Sequence, residues 1–256
     1  MNPPNTTAEW DAVWANRGDS FNEALERYPR FRDEERNQLI ERAGLEAGMK
    51  VLEVAACGGC LSRGIIEKFG QDIELFAIEP SEVHQRCLPE QITIVSNSDI
   101  CSFSLPDQSF DRVLNLAGLH HSSSVDQFFD ESYRVLGLGG GVAVADVAVN
   151  STVAEWLNVY INDNMPGGHC GRFFEDGEIT KLLTQAGFKR IQESRVEVFW
   201  HFESEKAMHD CISMMFCLPD IPTLTWDLGE ILGWETNGDC VALRWELIYG
   251  FGEKCP

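Results

Sequence analysis

Short apolar runs and amphipathic stretches alternate along the first 150 residues of the chain. Residues 50–55 form a run rich in Val and Leu, which is typical of a central parallel strand buried on both faces. Similar runs follow at 74–78, 92–95, 111–116 and 142–149, and the segments between them have helical spacing. Strands that alternate with helices in this way predict a doubly wound α/β fold with helices on both faces of the sheet.

The alternation becomes less regular beyond residue 150. Residues 174–186 and 204–217 predict helices, and residues 196–200 and 241–249 predict strands. The two late strands lack a full crossover helix between them, which indicates an antiparallel last strand on a mostly parallel, seven-stranded sheet. At the other end of the chain, residues 8–43 have the spacing of helices. The length of 256 residues fits one such domain.

The net charge of the chain limits the kinds of molecule that it is expected to bind. The chain has 41 acidic and 20 basic residues, which gives a formal net charge of −21. A protein this acidic repels a phosphate backbone and an anionic bilayer, so we expect no nucleic-acid and no membrane partner.

The cysteines and the N-terminus bear on location and metal binding. The N-terminus lacks the basic start and apolar centre of a secretory signal, and the nine cysteines are expected to be reduced thiols in the cytoplasm. Cys57 and Cys60 form the C-x-x-C spacing, but no second pair has clear zinc-ligand spacing. We therefore expect no metal site.

The loop after the first strand has the features of a nucleotide-cofactor site. Small residues follow Glu53, and the next helix offers free N–H groups to a ligand. Glu79 comes 20 residues after Gly59, at the end of the second strand. A carboxylate at that position can accept hydrogen bonds from both ribose hydroxyls of an adenosine. This pattern fits any nucleoside cofactor, including NAD.

Three sequence motifs, which follow one another along the chain, distinguish among these cofactors. They are VLEVAACGGC at 51–60, LPDQSFDRVLNLAGLHH at 105–121 and SYRVLGLGGG at 132–141. Together they resemble the class I S-adenosylmethionine-dependent methyltransferases of the UbiE-like, small-molecule type. The resemblance covers roughly residues 45–150 and implies a Rossmann-like methyltransferase fold with S-adenosyl-L-methionine as the cofactor.

The resemblance also assigns roles to positions of this chain. It places Glu53 near the methionine end of the cofactor, Glu79 on the ribose, and Asp99 on the adenine amino group. The full set of implied cofactor-binding positions is Glu53, Ala55, Cys57, Gly59, Glu79, Pro80, Asp99, Ile100, Asn115 and Leu116.

Two of these positions depart from the pattern of the family. Ala55 and Cys57 occupy positions where the family has glycine, and a Cβ is costly where φ is positive. Because the glutamates and Asp99 are in place, we expect the loop to tolerate these side chains and still bind the cofactor.

The implied reaction is methyl transfer to a small-molecule acceptor. Displacement at a sulfonium methyl group depends mostly on alignment, with a base needed only where the acceptor loses a proton. His121 follows the fourth strand and His169 lies in a Gly-rich stretch, so both are candidate catalytic residues on the acceptor side. An N-terminal helical cover at 1–43 and substrate-cap insertions at 150–173 and 200–237 are expected to build an apolar acceptor pocket.

Three alternatives remain open at this point. The altered glycine positions allow a protein that binds S-adenosylmethionine without methylating, or that uses the sulfonium for another reaction. Cys60 and Cys170 allow an arsenite-type methyltransferase, because thiolates suit a soft metalloid. The blocks between residues 99 and 146 disfavour the third alternative, an NAD-dependent oxidoreductase.

Overall fold

The structure is a computed structural model that describes residues 17–95, 99–122, 124–169 and 171–255. The predicted helical segment before residue 17 and the thiol of Cys170 lie outside the described residues. Among the described residues, no helix combines the length and the apolar character that crossing a bilayer requires.

One mixed sheet organises the chain. Its path runs β3-β2-β1-β4-β5-β8-β6, and β7 pairs with β8 beside this path. The first five strands pair in parallel, whereas β8 runs antiparallel to both β5 and β6. The strands are β1 Lys50–Val54, β2 Glu74–Ile78, β3 Thr93–Ile94, β4 Phe110–Leu116, β5 Leu136–Asp146, β6 Lys189–Phe202, β7 Trp234–Asn237 and β8 Cys240–Glu253. The predicted mostly parallel fold with an antiparallel last strand is therefore confirmed.

Helices cover both faces and the carboxyl edge of the sheet. The α-helices are α1 Gly18–Arg27, α2 Asp33–Ala43, α3 Cys60–Phe69, α4 Glu82–Gln85, α5 Val125–Val135, α6 Thr152–Glu155, α7 Asn162–Asn164, α8 Glu178–Ala186, α9 Glu205–Met215 and α10 Leu224–Ile231. A 3₁₀ turn at Leu119–His121 follows β4, and a π-helix at Trp156–Ile161 joins α6 to α7.

The C-terminal part of the sheet differs from the sequence-based expectation. The strands β6 and β8 are each 14 residues long, far longer than the predicted 196–200 and 241–249. Helix α10 and strand β7 lie in a stretch where the sequence predicts neither a helix nor a strand. The additional strand β7 gives the sheet eight strands rather than the predicted seven. Residues in the first half of β6 are partly or fully exposed. Many of them are charged, so this half lacks the apolar run from which a strand is predicted.

Aromatic packing joins the segment before α2 to strands β6 and β8. Phe31, just before α2, contacts the rings of Trp200 at 5.0 Å and Phe202 at 5.6 Å. Trp200 also stacks on Trp245 of β8, with 3.9 Å between ring centroids. Aromatic pairs of this kind contribute about 0.5–1.5 kcal/mol each beyond their burial. The packing places α1 and α2 beside the carboxyl edge of the sheet, where the cavity described below opens.

Candidate functional site

The loop after β1 adopts left-handed backbone conformations at three alternate positions. The φ angles are 56° at Ala55, 47° at Cys57 and 83° at Gly59, the residue that precedes helix α3. A left-handed conformation costs roughly 1–2 kcal/mol for a residue with a Cβ. These are the positions where the family has glycine, and here two of them keep the glycine conformation with a side chain present.

Glu79 is fixed against this loop. Its carboxylate accepts the backbone N–H of Cys57 at 2.6 Å and that of Ser81 at 2.8 Å. The residue is only 5% exposed, yet it lines the cavity. The loop therefore presents a pre-oriented carboxylate at the carboxyl end of β2, where the sequence places the ribose-binding residue.

Glu53 lies deeper in the same region. It is 2% exposed, and the Ser62 hydroxyl of α3 donates a hydrogen bond to its carboxylate. Burial, with a smaller contribution from the nearby Glu79 carboxylate, raises the pKa of Glu53 to about 8 despite the hydrogen bond from Ser62. A positive charge close by, such as the ammonium group of a ligand, would favour the ionised form of the Glu53 carboxyl group.

The remaining predicted cofactor positions divide into two groups. Pro80, Ile100 and Leu116 line the cavity with the loop residues. Asp99 is half-buried and does not line the cavity. Its carboxylate accepts a hydrogen bond from the backbone N–H of Cys101 at 3.0 Å, and burial raises its pKa. Asn115 is fully buried and its amide donates to the Val54 carbonyl at 2.8 Å, so it ties β4 to β1 instead of facing the cavity.

Most of these residues line one cavity. One part of its lining consists of the β1 loop, Glu79 and the end of β4. A second part comes from α1, the π-helix region and strands β6 and β8, through Phe21, Leu157, Met165, Trp200 and Trp245.

Three imidazoles are among the polar groups that line this cavity. His120, His121 and His169 all line the cavity, so the two histidines predicted from the sequence lie together. Ring centroids are 5.2 Å apart for His121 and His169, and 4.1 Å apart for His120 and His121. Burial lowers the pKa of His169 to about 3 and that of His121 well below its usual value. Both rings are therefore neutral near pH 7.

His120 and its partner were not among the predicted site residues. The His120 Nδ1 atom lies 2.6 Å from the Asp146 carboxylate, which is fully buried at the end of β5. The same carboxylate also accepts the backbone N–H of His120 at 3.1 Å. A sequence signal existed, because Asp146 ends a strand adjacent to the one that His120 follows.

A buried ion pair supports the aromatic wall of the cavity. Arg32 donates two hydrogen bonds to Glu35, at 2.9 and 2.6 Å, and the Trp200 indole donates to Glu35 at 2.6 Å. Arg32 and Trp200 line the cavity, whereas Glu35 is fully buried behind them. Sequence reasoning missed this group because Trp200 lies more than 160 residues from Arg32 and Glu35.

The cysteines near the cavity do not form a thiolate site. Burial raises the pKa of Cys57 well above its usual value and raises that of Cys60 to about 11, so both are protonated thiols near neutral pH. Protonated thiols are poor nucleophiles and poor ligands for a soft metalloid. This chemistry disfavours the arsenite-type alternative.

Comparison with known proteins agrees with the geometry. A family model described as a methyltransferase domain matches residues 52–144. Sterol 24-C-methyltransferase ERG6A of Gibberella zeae is 26% identical over 236 residues, covering 88% of this chain and 55% of that protein. The chain spans about half the length of the first curated relatives it matches.

Two further similarities concern the family and the fold. The ubiquinone/menaquinone biosynthesis C-methyltransferase UbiE of Bordetella parapertussis is 30% identical over 176 residues, covering 60% of this chain and 68% of that protein. The solved structure of the [4+2]-cyclase SpnF has a TM-score of 0.63 at 16% identity and covers both chains completely, which shows the same fold. On the match to UbiE and the agreement of fold and loop geometry, the chain belongs to the class I S-adenosylmethionine-dependent methyltransferase family.

Proposed function

We propose that this protein transfers a methyl group from S-adenosylmethionine to a small-molecule acceptor. The observation that carries the proposal is one cavity whose lining combines the carboxylates Glu53 and Glu79 with aromatic side chains and three imidazoles. Donor and acceptor can therefore occupy one space, and alignment of the two supplies much of the catalysis of a displacement.

The residues of the loop side fit the cofactor. Glu79 would hold the ribose hydroxyls, Glu53 would face the methionine end, and Ile100 would pack against the adenine ring. Gly118 supports this fit, because a Cβ there would come within 2.6 Å of the Ala55 Cβ, so only glycine lets the end of β4 approach the loop. When bound, the cofactor supplies a methyl group on a positively charged sulfur that leaves readily on displacement.

The aromatic and imidazole part of the lining indicates the class of acceptor. Trp200, Trp245 and Met215 offer an apolar wall, and the imidazoles offer hydrogen bonds to one polar group. A mainly apolar small molecule with a single polar handle matches this lining. We propose that His121 and His169 contribute on the acceptor side. Because their low pKa values make them weak bases, we assign them the positioning of the polar handle.

We also propose that residues 1–256 form a single methyltransferase domain, which is organised around the sheet and its cofactor loop. Residues 1–43 act as a helical cover, and residues 150–173 and 200–237 act as substrate-cap insertions. Support comes from the described parts of these segments, since Phe21, Leu157 and Met215 all reach the cavity.

The proposed setting is the cytoplasm, without nucleic-acid or membrane partners. Eight cysteines of the described part of the chain are free thiols, as expected in a reducing compartment. The net charge of −21 opposes binding to nucleic acid and to anionic bilayers.

Mass spectrometry of the ligands that copurify with the protein tests the function. We expect S-adenosylmethionine or S-adenosylhomocysteine, and incubation with methyl-labelled S-adenosylmethionine and the copurifying small molecule should label that molecule. Cofactor binding with no labelled product and no S-adenosylhomocysteine formed would favour the non-methylating alternative that the residues Ala55 and Cys57 raise.

A further inference from the structure

Three imidazole rings converge at the acceptor side of the cavity. One ring nitrogen from each of His120, His121 and His169 lies within 4.8 Å of the other two. Three converging imidazole nitrogens form the protein ligand set of a well-known class of catalytic zinc site.

The orientation of the His169 ring is fixed by its partner Asn158. The Asn158 amide donates from Nδ2 to the Gly171 carbonyl at 2.8 Å, and its Oδ1 accepts the Gly171 N–H at 2.8 Å. This pairing identifies Oδ1 as the acceptor that faces His169 Nδ1 at 3.0 Å. The proton of a neutral His169 therefore lies on Nδ1, and the lone pair lies on Nε2.

The His120 ring is held in a similar way. Its Nδ1 faces the Asp146 carboxylate at 2.6 Å, and that carboxylate also accepts the Val147 N–H at 2.7 Å. Because an ionised carboxylate only accepts, His120 Nδ1 carries a proton, which leaves Nε2 for another partner. A carboxylate or amide oxygen behind each imidazole is the outer-shell arrangement that orients metal-binding histidines.

Backbone contacts hold the two rings close together. The Arg172 N–H donates to the His120 carbonyl at 2.8 Å, which ties the loop after His169 to the 3₁₀ turn. Asn158 lies in the π-helix Trp156–Ile161, a distortion that recurs at functional sites. The Arg17 guanidinium acts electrostatically on His121 and His169 and opposes a cation there. A buried carboxylate, that of Asp146, contacts the third ring, His120, at 2.6 Å.

We propose that His120, His121 and His169 bind one divalent first-row transition-metal ion such as Zn²⁺, with an open position toward the acceptor. Imidazole nitrogens suit this class of ion, and the three rings are already gathered around one point. The sequence-based expectation of no metal considered only cysteine spacing, which does not reveal that His169 joins His120 and His121 from 48 residues further along the chain.

The open position defines the chemistry of the acceptor. A hydroxyl or enol oxygen of the acceptor would ligate the ion and release its proton to solvent at a lower pH, with no change in oxidation state. The resulting oxyanion or its conjugated carbon is the nucleophile that methyl transfer needs. This role of the acceptor rests on the proposed function, whereas metal binding by the three histidines does not.

Titration of the chelator-treated full chain with Co²⁺ and then Zn²⁺, under reducing conditions, tests the site. We expect one Co²⁺ per chain, a visible absorption band of low-symmetry coordination, and displacement by Zn²⁺. His120→Ala and His169→Ala should each weaken Zn²⁺ binding by more than about 100-fold, and Asp146→Asn by about 10–100-fold. His201→Gln, at an exposed histidine outside the cavity, is the matched control and should bind as the wild type does.

Several results would overturn the inference. They are no Co²⁺ binding by the wild type, binding that the His169→Ala variant retains in full, or an ultraviolet thiolate-to-cobalt band that assigns the ion to cysteines. Circular dichroism of each variant, and of the milder substitution His169→Gln, shows whether a loss of metal binding comes from unfolding. S-adenosylhomocysteine titration of the same samples separates the two proposals. Cofactor binding without metal binding removes the metal site alone, and metal binding without cofactor binding removes the proposed function alone.

Discussion

Cys57 donates its backbone N–H to the Glu79 carboxylate over 2.6 Å while its own φ is 47°. The left-handed turn is what points this N–H at the carboxylate, so the strained residue and the proposed ribose ligand form one unit. A glycine would reach the same conformation without the Cβ penalty. The chain therefore accepts a local cost to keep a side chain at this position.

Replacing that side chain tests whether it obstructs the cofactor. Cys57→Gly should leave S-adenosylhomocysteine binding intact or tighten it, and Ala55→Gly should do the same, because both positions already have the glycine conformation. The stability of each variant should stay within about 1 kcal/mol of the wild type, since relief of strain offsets the added chain entropy. Calorimetry and urea unfolding measure the two quantities. A folded variant that no longer binds would assign the native side chain a specific role.

Glu53 should make stability depend on pH. Burial raises its pKa from 4.5 to about 8, so the folded chain holds a proton that the unfolded chain releases. The stabilisation is full below about pH 4.5 and is lost as pH rises through about 8. Glu53→Gln cannot ionise, so without cofactor its stability should rise relative to the wild type by about 3 kcal/mol between pH 5.5 and pH 8.5.

Urea unfolding at these two pH values is the measurement for Glu53. The matched control is Glu46→Gln, which changes an exposed carboxylate on the loop before β1. A constant difference between Glu53→Gln and the wild type at both pH values would contradict the raised pKa.

The Arg32–Glu35 pair should be essential to the aromatic wall of the cavity. Glu35→Gln leaves the Arg32 charge buried without its counterion, which costs about 3–5 kcal/mol of unfolding free energy. Glu41→Gln changes an exposed acid of the same helix and should cost little. Denaturant unfolding of both variants is the check. Equal stability of Glu35→Gln and the wild type would mean that the ion pair is not formed in solution.

The proposed cover should respond to ligand. Helix α1 and the π-helix Trp156–Ile161 contribute Phe21 and Leu157 to the cavity, so their amides should exchange more slowly when S-adenosylhomocysteine is bound. Amides of β4 and β5 in the core serve as the internal reference. Equal exchange of the two helices with and without ligand would make them fixed structure instead of a cover.

The sequence predicts the parallel half of this fold well and the cavity only in part. Strands such as β1 are buried on both faces, so their residues form continuous apolar runs that identify them. The first half of β6 is largely exposed, and its identity as a strand depends on pairing with β8, which is distant in sequence. Local patterns therefore predicted only its buried end.

Proximity across the cavity depends on tertiary packing. Resemblance to the family placed the loop residues Ala55 and Cys57, and their left-handed φ angles agree with that placement. Which of two adjacent histidines faces Asp146 is decided by the 3₁₀ turn after β4, which the sequence does not specify. Contacts such as Trp200 with Glu35 join segments that no sequence spacing relates.

Calorimetric titration with S-adenosylhomocysteine tests whether the cavity binds the cofactor through Glu79, with Glu79→Gln compared against Glu82→Gln. Glu82 is an exposed acid three residues further along the chain, so its variant is the matched control. We expect one cofactor per chain for the wild type and for Glu82→Gln. Affinity should fall by about 10–100-fold for Glu79→Gln, because a charge-assisted hydrogen bond contributes about 1.5–3 kcal/mol. A wild-type protein that does not bind, or a Glu79→Gln variant that binds equally well, would contradict this expectation.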